Sequence, residues 1–291
     1  MRRAEWAATY HTAMETTTIP VGPLTFDVRL HGPEDGRPVL LLHGFPQAGR
    51  SWDAVAGRLA AAGYRAIAPD QRGYSPGARP PEVAAYAMPH LVADALGILD
   101  ALGVDRADVA GHDWGAAVAW ELAIGHPARV RTLTAVSVPH PAAFGWARRN
   151  DADQQERSTY IGLFREPGKA EQVLLEDGAR RLRATYEGVL PAEAEEEYVR
   201  RFTEPGALTA ALNWYRAMGR DGSGPPADVT VPTTYVWSTA DRALGRSGAE
   251  RCGEHVTGPY DFAVLEDVTH WVPEQAPEEL SAIIERRLAS A

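Results

Sequence analysis

Apolar and polar positions along the chain repeat with two different periods. Residues 24–30 (LTFDVRL) alternate one by one, the pattern of a half-buried strand. Short unbroken apolar runs follow at PVLLL (38–42), YRAIAPD (64–70), ADVAGHD (107–113) and RVRTLTAVSV (129–138). Runs of that length read as buried strands. Between them lie stretches with helical spacing: AGRSWDAVAGRLAAAG ending at Gly63, LVADALGILDALG (91–103), and WGAAVAWELAIGHP after Asp113. Strands that alternate with helices predict a parallel sheet covered by helices.

The alternation breaks after residue 138. Residues 139–227 are charged, helical in composition and without a buried strand run. VPTTYVWSTAD (231–241) and FAVLEDVTH (262–270) resume the strand pattern, and PEELSAIIERRLAS reads as a closing helix. The expected organisation is therefore an α/β core in two parts, 1–138 and 228–291, with a helical insertion at 139–227. The Gly/Pro-rich segment DGSGPPADVTVP (221–232) is the clearest linker-like stretch.

Composition narrows the function more than the fold. The 291 residues, 45% hydrophobic and 23% charged, suit an ordinary globular core. A formal charge of −10 argues against nucleic acid or an anionic membrane as partner. Cys252 is the only cysteine, which excludes an intrachain disulfide and a metal–thiolate cluster and fits a reducing compartment. MRRAEWAATYHTAMETTTIP has two arginines with no apolar run behind them, a poor secretory leader. No stretch reaches the roughly 18 apolar residues of a membrane span. A cytoplasmic protein is expected, with no metal or organic cofactor.

The chemistry centres on Gly111-His112-Asp113-Trp114-Gly115. This is the G-x-S-x-G pattern of a nucleophile elbow with aspartate in place of serine. A sharp strand-to-helix turn exposes the central residue and crowds its flanks, which the two glycines relieve. Read alone, the segment could be a turn with an N-capping aspartate. The partners that follow in order make it more. Asp241 follows the strand TTYVWS at the place of a triad acid, and His270 follows the strand FAVLEDV. Asp267 is a rival acid only three residues before His270. The other eight histidines (11, 31, 43, 90, 112, 126, 140 and 255) lack this setting.

An aspartate is already ionised at neutral pH, with an ordinary pKa of about 3.9. It can attack an sp³ carbon without a base, forming an alkyl ester of the protein. His270 is then needed in the second step, to activate water against that ester. Asp241 would hold the imidazole tautomer and stabilise its charged form. Epoxides and alkyl halides are the substrates such a nucleophile suits. Backbone N–H groups of Trp114, and of Phe45 in the turn HGFP, are the candidate oxyanion donors. A cis Phe45–Pro46 bond is expected in that turn.

These residues carry a resemblance. LLHGFPQAGRSW (41–52), DQRGYS (70–75), GHDWGAAVAW (111–120), VPHP (138–141), LNWYR (212–216) and DVTHW (267–271) resemble the soluble epoxide hydrolases of the α/β-hydrolase superfamily. The likeness runs from roughly residue 20 to 290. It implies an eight-stranded, mostly parallel sheet with a helical cap inserted after the sixth strand. It also implies two cap tyrosines aimed at the epoxide oxygen. Tyr215 in LNWYR matches one, and Tyr160 in YIGLFREPG the other, with Tyr186 and Tyr198 as competitors. An opening epoxide develops an alkoxide, and a phenol with a pKa near 10 is a protonated donor at pH 7.

The resemblance thus implies an epoxide substrate and water, with Phe45, Trp114, Tyr160, Tyr215 and Trp271 contacting the substrate. Trp214 adds to an apolar pocket, while Trp146 and Phe164 read as core. Two alternatives share the scaffold. A haloalkane or haloacid dehalogenase would use the same aspartate, but Phe45 and Trp114 depart from those enzymes' usual Asn and Arg. A hydrolase-fold binding protein would have little use for all three of Asp113, Asp241 and His270.

Overall fold

The computed structural model describes residues 14–219 and 226–290. The first 13 residues, with His11 and most of the stretch weighed as a leader, lie outside the described residues. So do residues 220–225 at the start of the linker-like segment. Its remainder, 226–232, carries no helix or strand beyond a single bridge from Val229 to Val256.

Eight strands form one sheet in the order β1-β2-β4-β3-β5-β6-β7-β8. They are β1 (Glu15–Val21), β2 (Leu24–His31), β3 (Arg37–Leu42), β4 (Tyr64–Pro69), β5 (Ala107–His112), β6 (Val130–Val136), β7 (Thr233–Ser238) and β8 (Tyr260–Leu265). β1 and β2 pair antiparallel through the tight turn at Gly22, and β2 pairs antiparallel with β4. The remaining pairs are parallel. The mostly parallel sheet expected from the strand–helix alternation is therefore present.

Strand β1 was not legible in the pattern. ETTTIPV is polar, carries Pro20, and leaves most of its positions at the surface. An edge strand needs neither an apolar face nor every N–H, so proline and threonine are tolerated there. β8 is shorter than the FAVLEDVTH run suggested. It ends at Leu265, and the chain then turns through Asp267 with φ 57°.

β3 shows why the central strands read as unbroken apolar runs. Val39 and Leu41 face one core, with Trp52, Leu59 and Ile284. Leu40 and Leu42 face the other, with Trp120 and Leu133. Both faces of the parallel strands are covered by helices, so both must be apolar. Each such side chain, fully withdrawn from water, contributes on the order of 1.5–3 kcal/mol.

The helices are α1 (Asp53–Ala61), α2 (Met88–Ala101), α3 (Trp114–Gly125), α4 (Pro141–Asn150), α5 (Ala152–Arg157), α6 (Tyr160–Phe164), α7 (Lys169–Thr185, broken at 176–179), α8 (Ala192–Phe202), α9 (Ala207–Ala217), α10 (Arg246–Glu250), α11 (Val272–Gln275) and α12 (Pro277–Ala289). α1 and α12 pack together on one face, and α2 and α3 on the other. Helices α4 to α9 lie between β6 and β7. They share the larger core with the sheet through residues such as Ile161, Tyr198 and Trp214.

Candidate active site

Three loops leave the same end of the sheet, after β5, β7 and β8, and bring their side chains together. The first is the turn from β5 into α3. Asp113 sits there at φ 54°, ψ −121°, a conformation that costs a non-glycine residue about 1–3 kcal/mol. A Cβ on Gly111 would lie 2.2 Å from the Gly115 carbonyl, and one on Gly115 would lie 2.0 Å from that of Leu42. Only glycine permits this packing, and the packing holds Asp113 in its strained turn.

The second loop follows β7. Asp241 is 1% exposed. Its Oδ1 accepts from the backbone N–H groups of Ala243 (2.7 Å) and Leu244 (3.0 Å). Oδ2 is thereby left to His270 Nδ1 at 2.8 Å. The third loop follows β8 and carries His270, whose Nε2 stands 3.5 Å from Asp113 Oδ2. The rival acid Asp267 is exposed, and its backbone N–H is spent on Thr239 Oγ1.

Electrostatics follow from this geometry. Burial works against an imidazolium at His270, but Asp241 and Asp113 flank it and push its pKa up to about 10. Asp113 shows the reciprocal effect. Burial would raise its carboxyl, yet the hydrogen bond and charge of His270 hold it below the ordinary carboxylate range. Both directions favour an ionised Asp113 facing a charged His270. The Phe45 N–H donates to Asp113 Oδ1 at 2.8 Å, and the Trp114 N–H also bonds this carboxylate. The Phe45–Pro46 bond is cis.

Tyr160, at the start of α6, and Tyr215, in α9, arrive over Asp113 from the inserted segment. Their rings are 6.2 Å apart, and Tyr215 packs edge-on to Trp114 (5.2 Å) and Phe45 (5.5 Å). Burial pushes both phenols above their ordinary value, and the Asp113 charge adds to it. Both therefore remain protonated donors. The competitors are engaged elsewhere: Tyr186 donates to the Pro46 carbonyl at 2.7 Å and Tyr198 to Glu274 at 2.8 Å.

Asp113, Tyr160 and Tyr215 line two cavities at once. One, of about 310 Å³, has Trp114, Trp214, Met88 and Phe144 in its walls. The other, of about 280 Å³, has Phe45, Phe164, His270 and Trp271. All five residues expected to contact substrate thus border a cavity. Phe164 is buried as expected and also forms a wall. Trp146 departs from the core reading. It is half-buried and lies beneath the Arg251 guanidinium, 4.1 Å from its ring centroid, because a tryptophan face can be satisfied by a cation at the surface.

The sequence reading missed the residues that brace the site. Gln154 of α5 is buried and grips the Asp241 loop, donating to the Ala243 carbonyl and accepting from the Gly245 N–H. Arg157 donates to the Asp241 carbonyl. Nothing in ADQQER distinguishes them, since the contact spans more than 80 residues. His112 and His43 are fully buried, and burial lowers them to about 3 and about 4. They are neutral. Among the described residues, no group of three or more His, Cys, Asp or Glu could hold a metal ion, and no helix is long and apolar enough to cross a membrane.

A family model for the alpha/beta hydrolase fold matches residues 37–277. The chain is 36% identical over 268 residues to the AB hydrolase superfamily protein YfhM of Bacillus subtilis, covering 90% of this chain and 93% of that one. It is 33% identical over 307 residues to epoxide hydrolase A of Mycobacterium tuberculosis, covering 89% and 94%. The crystal structure of epoxide hydrolase A from Mycobacterium thermoresistibile matches with a TM-score of 0.86 at 31% identity, over 95% of this chain and 98% of that one.

Proposed function

The chain belongs to the α/β-hydrolase superfamily, among its epoxide hydrolases, and from that premise we propose that it converts an epoxide to a vicinal diol through an ester on Asp113. An Asp113 oxygen attacks an epoxide carbon and the carbon–oxygen bond breaks. The alkoxide takes a proton from the Tyr160–Tyr215 pair, and the pair is restored by the proton that His270 carries at rest. Esterification removes the Asp113 charge and with it one of the two anions that hold that proton. The ester state is left with a neutral imidazole, which is the form a base requires.

His270 then takes a proton from water as its oxygen attacks the ester carbonyl. The N–H groups of Phe45 and Trp114 hold the oxyanion. Collapse returns the Asp113 carboxylate, and the leaving diol oxygen takes the proton of the acid it leaves behind. Asp113 is again ionised, His270 is again charged, and no outside proton is consumed. Residues 139–227 serve as the cap over a core of 1–138 and 228–291. The acidic, single-cysteine composition supports cytoplasmic action.

The observation that carries this reading is His270 set between Asp241 at 2.8 Å and Asp113 at 3.5 Å, with two protonated phenols above. The test is a side-by-side assay of the purified protein with styrene oxide, aliphatic epoxides, a chloroalkane and fluoroacetate. Diol without halide is expected. Halide without diol would move the reaction to dehalogenation by the same nucleophile. Reversible binding without turnover or adduct would make the protein a receptor.

A further inference from the structure

Behind the catalytic groups lies a chain of polar side chains, buried except at its partly exposed outer end, that the mechanism does not use. Glu274, in α11, meets Gln47 at 2.5 Å through Oε2 and accepts from the Tyr198 hydroxyl at 2.8 Å through Oε1. The Gln47 side chain reaches His112 Nδ1 at 3.1 Å. His112 Nε2 meets the backbone carbonyl of His270 at 2.8 Å. The chain thus connects the loop of Phe45, the residue before Asp113, and the loop of His270.

Counting donors fixes its direction. His112 is fully buried and neutral, so its ring carries one N–H. A backbone carbonyl can only accept, so that N–H belongs on Nε2, facing His270. Nδ1 is then a bare lone pair. It cannot face the Gln47 carbonyl oxygen without repulsion and must face the amide N–H instead. The two ends of the amide exchange by a half-turn of the side chain. With that turn made, the Gln47 oxygen faces Glu274 Oε2, and Glu274 must be the donor. A 2.5 Å contact lies at the short limit of the O–H···O range and below that of N–H···O. The donors then run in a single sense, from Glu274 to Gln47, to His112, to the His270 carbonyl.

We propose that Glu274 is a positioning residue that acts in its protonated form, as the first donor of this relay, and so holds the His270 loop against Asp113. Its surroundings favour that form. Burial raises its carboxyl from 4.5 to about 7, against the lowering effects of the Tyr198 and Gln47 hydrogen bonds and of the Arg50 charge. Arg50 is itself occupied by Glu197 and Glu193 of the α8 segment. Asp53 adds repulsion but is paired with Arg29 and His31. Tyr186, the other titratable neighbour, is neutral and hydrogen-bonded to Pro46. Ionised Glu274 would turn the Gln47 amide back, press its oxygen on Nδ1, and draw the His112 proton away from the His270 carbonyl.

The inference rests on the catalytic reading of His270, but its first test needs no substrate. Nitrogen NMR of the imidazoles distinguishes the two His112 tautomers. The expected result is a proton on Nε2 at pH 6, shifting as the pH rises through neutrality, and a proton on Nε2 at every pH in Glu274→Gln. A proton on Nδ1 at pH 6, or an unchanged transition in Glu274→Gln, overturns the relay. The second test is kinetic, with any substrate turned over. Glu274→Leu, which has no donor, should lower kcat by about tenfold with KM little changed. Glu274→Gln, which keeps a donor, should recover it and flatten the response near neutral pH. Equal effects of the two variants would leave Glu274 with a merely structural role and refute the proposal.

Discussion

Replacing Asp113 with asparagine keeps its shape and removes one of the two charges that hold His270 as an imidazolium. His270 Nε2 is 3.5 Å from Asp113 Oδ2. At an effective dielectric of about 20, unit charges at that separation interact by about 5 kcal/mol. At about 1.4 kcal/mol per pH unit, the His270 midpoint should fall by about three pH units. It starts at about 10, so it should land near the range of an ordinary histidine. The sign follows from losing an anion beside a cation: the charged form loses support and the neutral form gains. The asparagine variant carries the same charge as the ester, so it reports the state in which His270 must act as base. The assay is an NMR pH titration of the His270 ring, assigned by the signal lost in His270→Gln. A midpoint in Asp113→Asn within one pH unit of the parent would refute the argument that esterification frees the base.

Other outcomes follow from the same geometry. Turnover of an epoxide by His270→Gln should stop after the first step, leaving a protein heavier by the mass of the substrate in intact-mass spectra; absence of the adduct would mean His270 is needed for attack as well. In Tyr215→Phe, epoxide opening should slow by about 10²–10³-fold, the scale of losing one donor to a developing oxyanion, while Tyr186→Phe should leave the opening rate unchanged. Glu274 binds its proton more tightly folded than unfolded, so its contribution to stability is full below 4.5 and is lost as pH rises through about 7. Thermal melts should therefore lose on the order of 2 kcal/mol across that window relative to Glu274→Gln, a figure reduced for its partial exposure. Gln154→Leu strands the buried Gly245 N–H and should cost about 1–3 kcal/mol in denaturant unfolding, with a loss of kcat as the Asp241 loop loosens.

The sequence by itself determined what local chemistry can decide. The apolar runs of β3 and β5 announce strands buried on both faces, and the flanking helical spacing announces the layers that cover them. Gly111 and Gly115 mark the elbow, because no side chain fits where their Cβ atoms would lie. The order Asp113, Asp241, His270 was legible because each residue lies in the loop after a strand, and the parallel strands β5, β7 and β8 all finish at the same end of the sheet. β1 was not legible, because an edge strand needs no apolar face to form. Tertiary structure alone decided the rest. Which of Tyr160, Tyr186, Tyr198 and Tyr215 reach the Asp113 cavities depends on how the inserted helices settle on the sheet. The grip of Gln154 on Ala243 and Gly245, and the link from Glu274 through Gln47 and His112 to His270, join residues far apart in the chain. Such contacts leave no periodic trace, because they are set by the direction of individual hydrogen bonds once the strands and helices have closed around them.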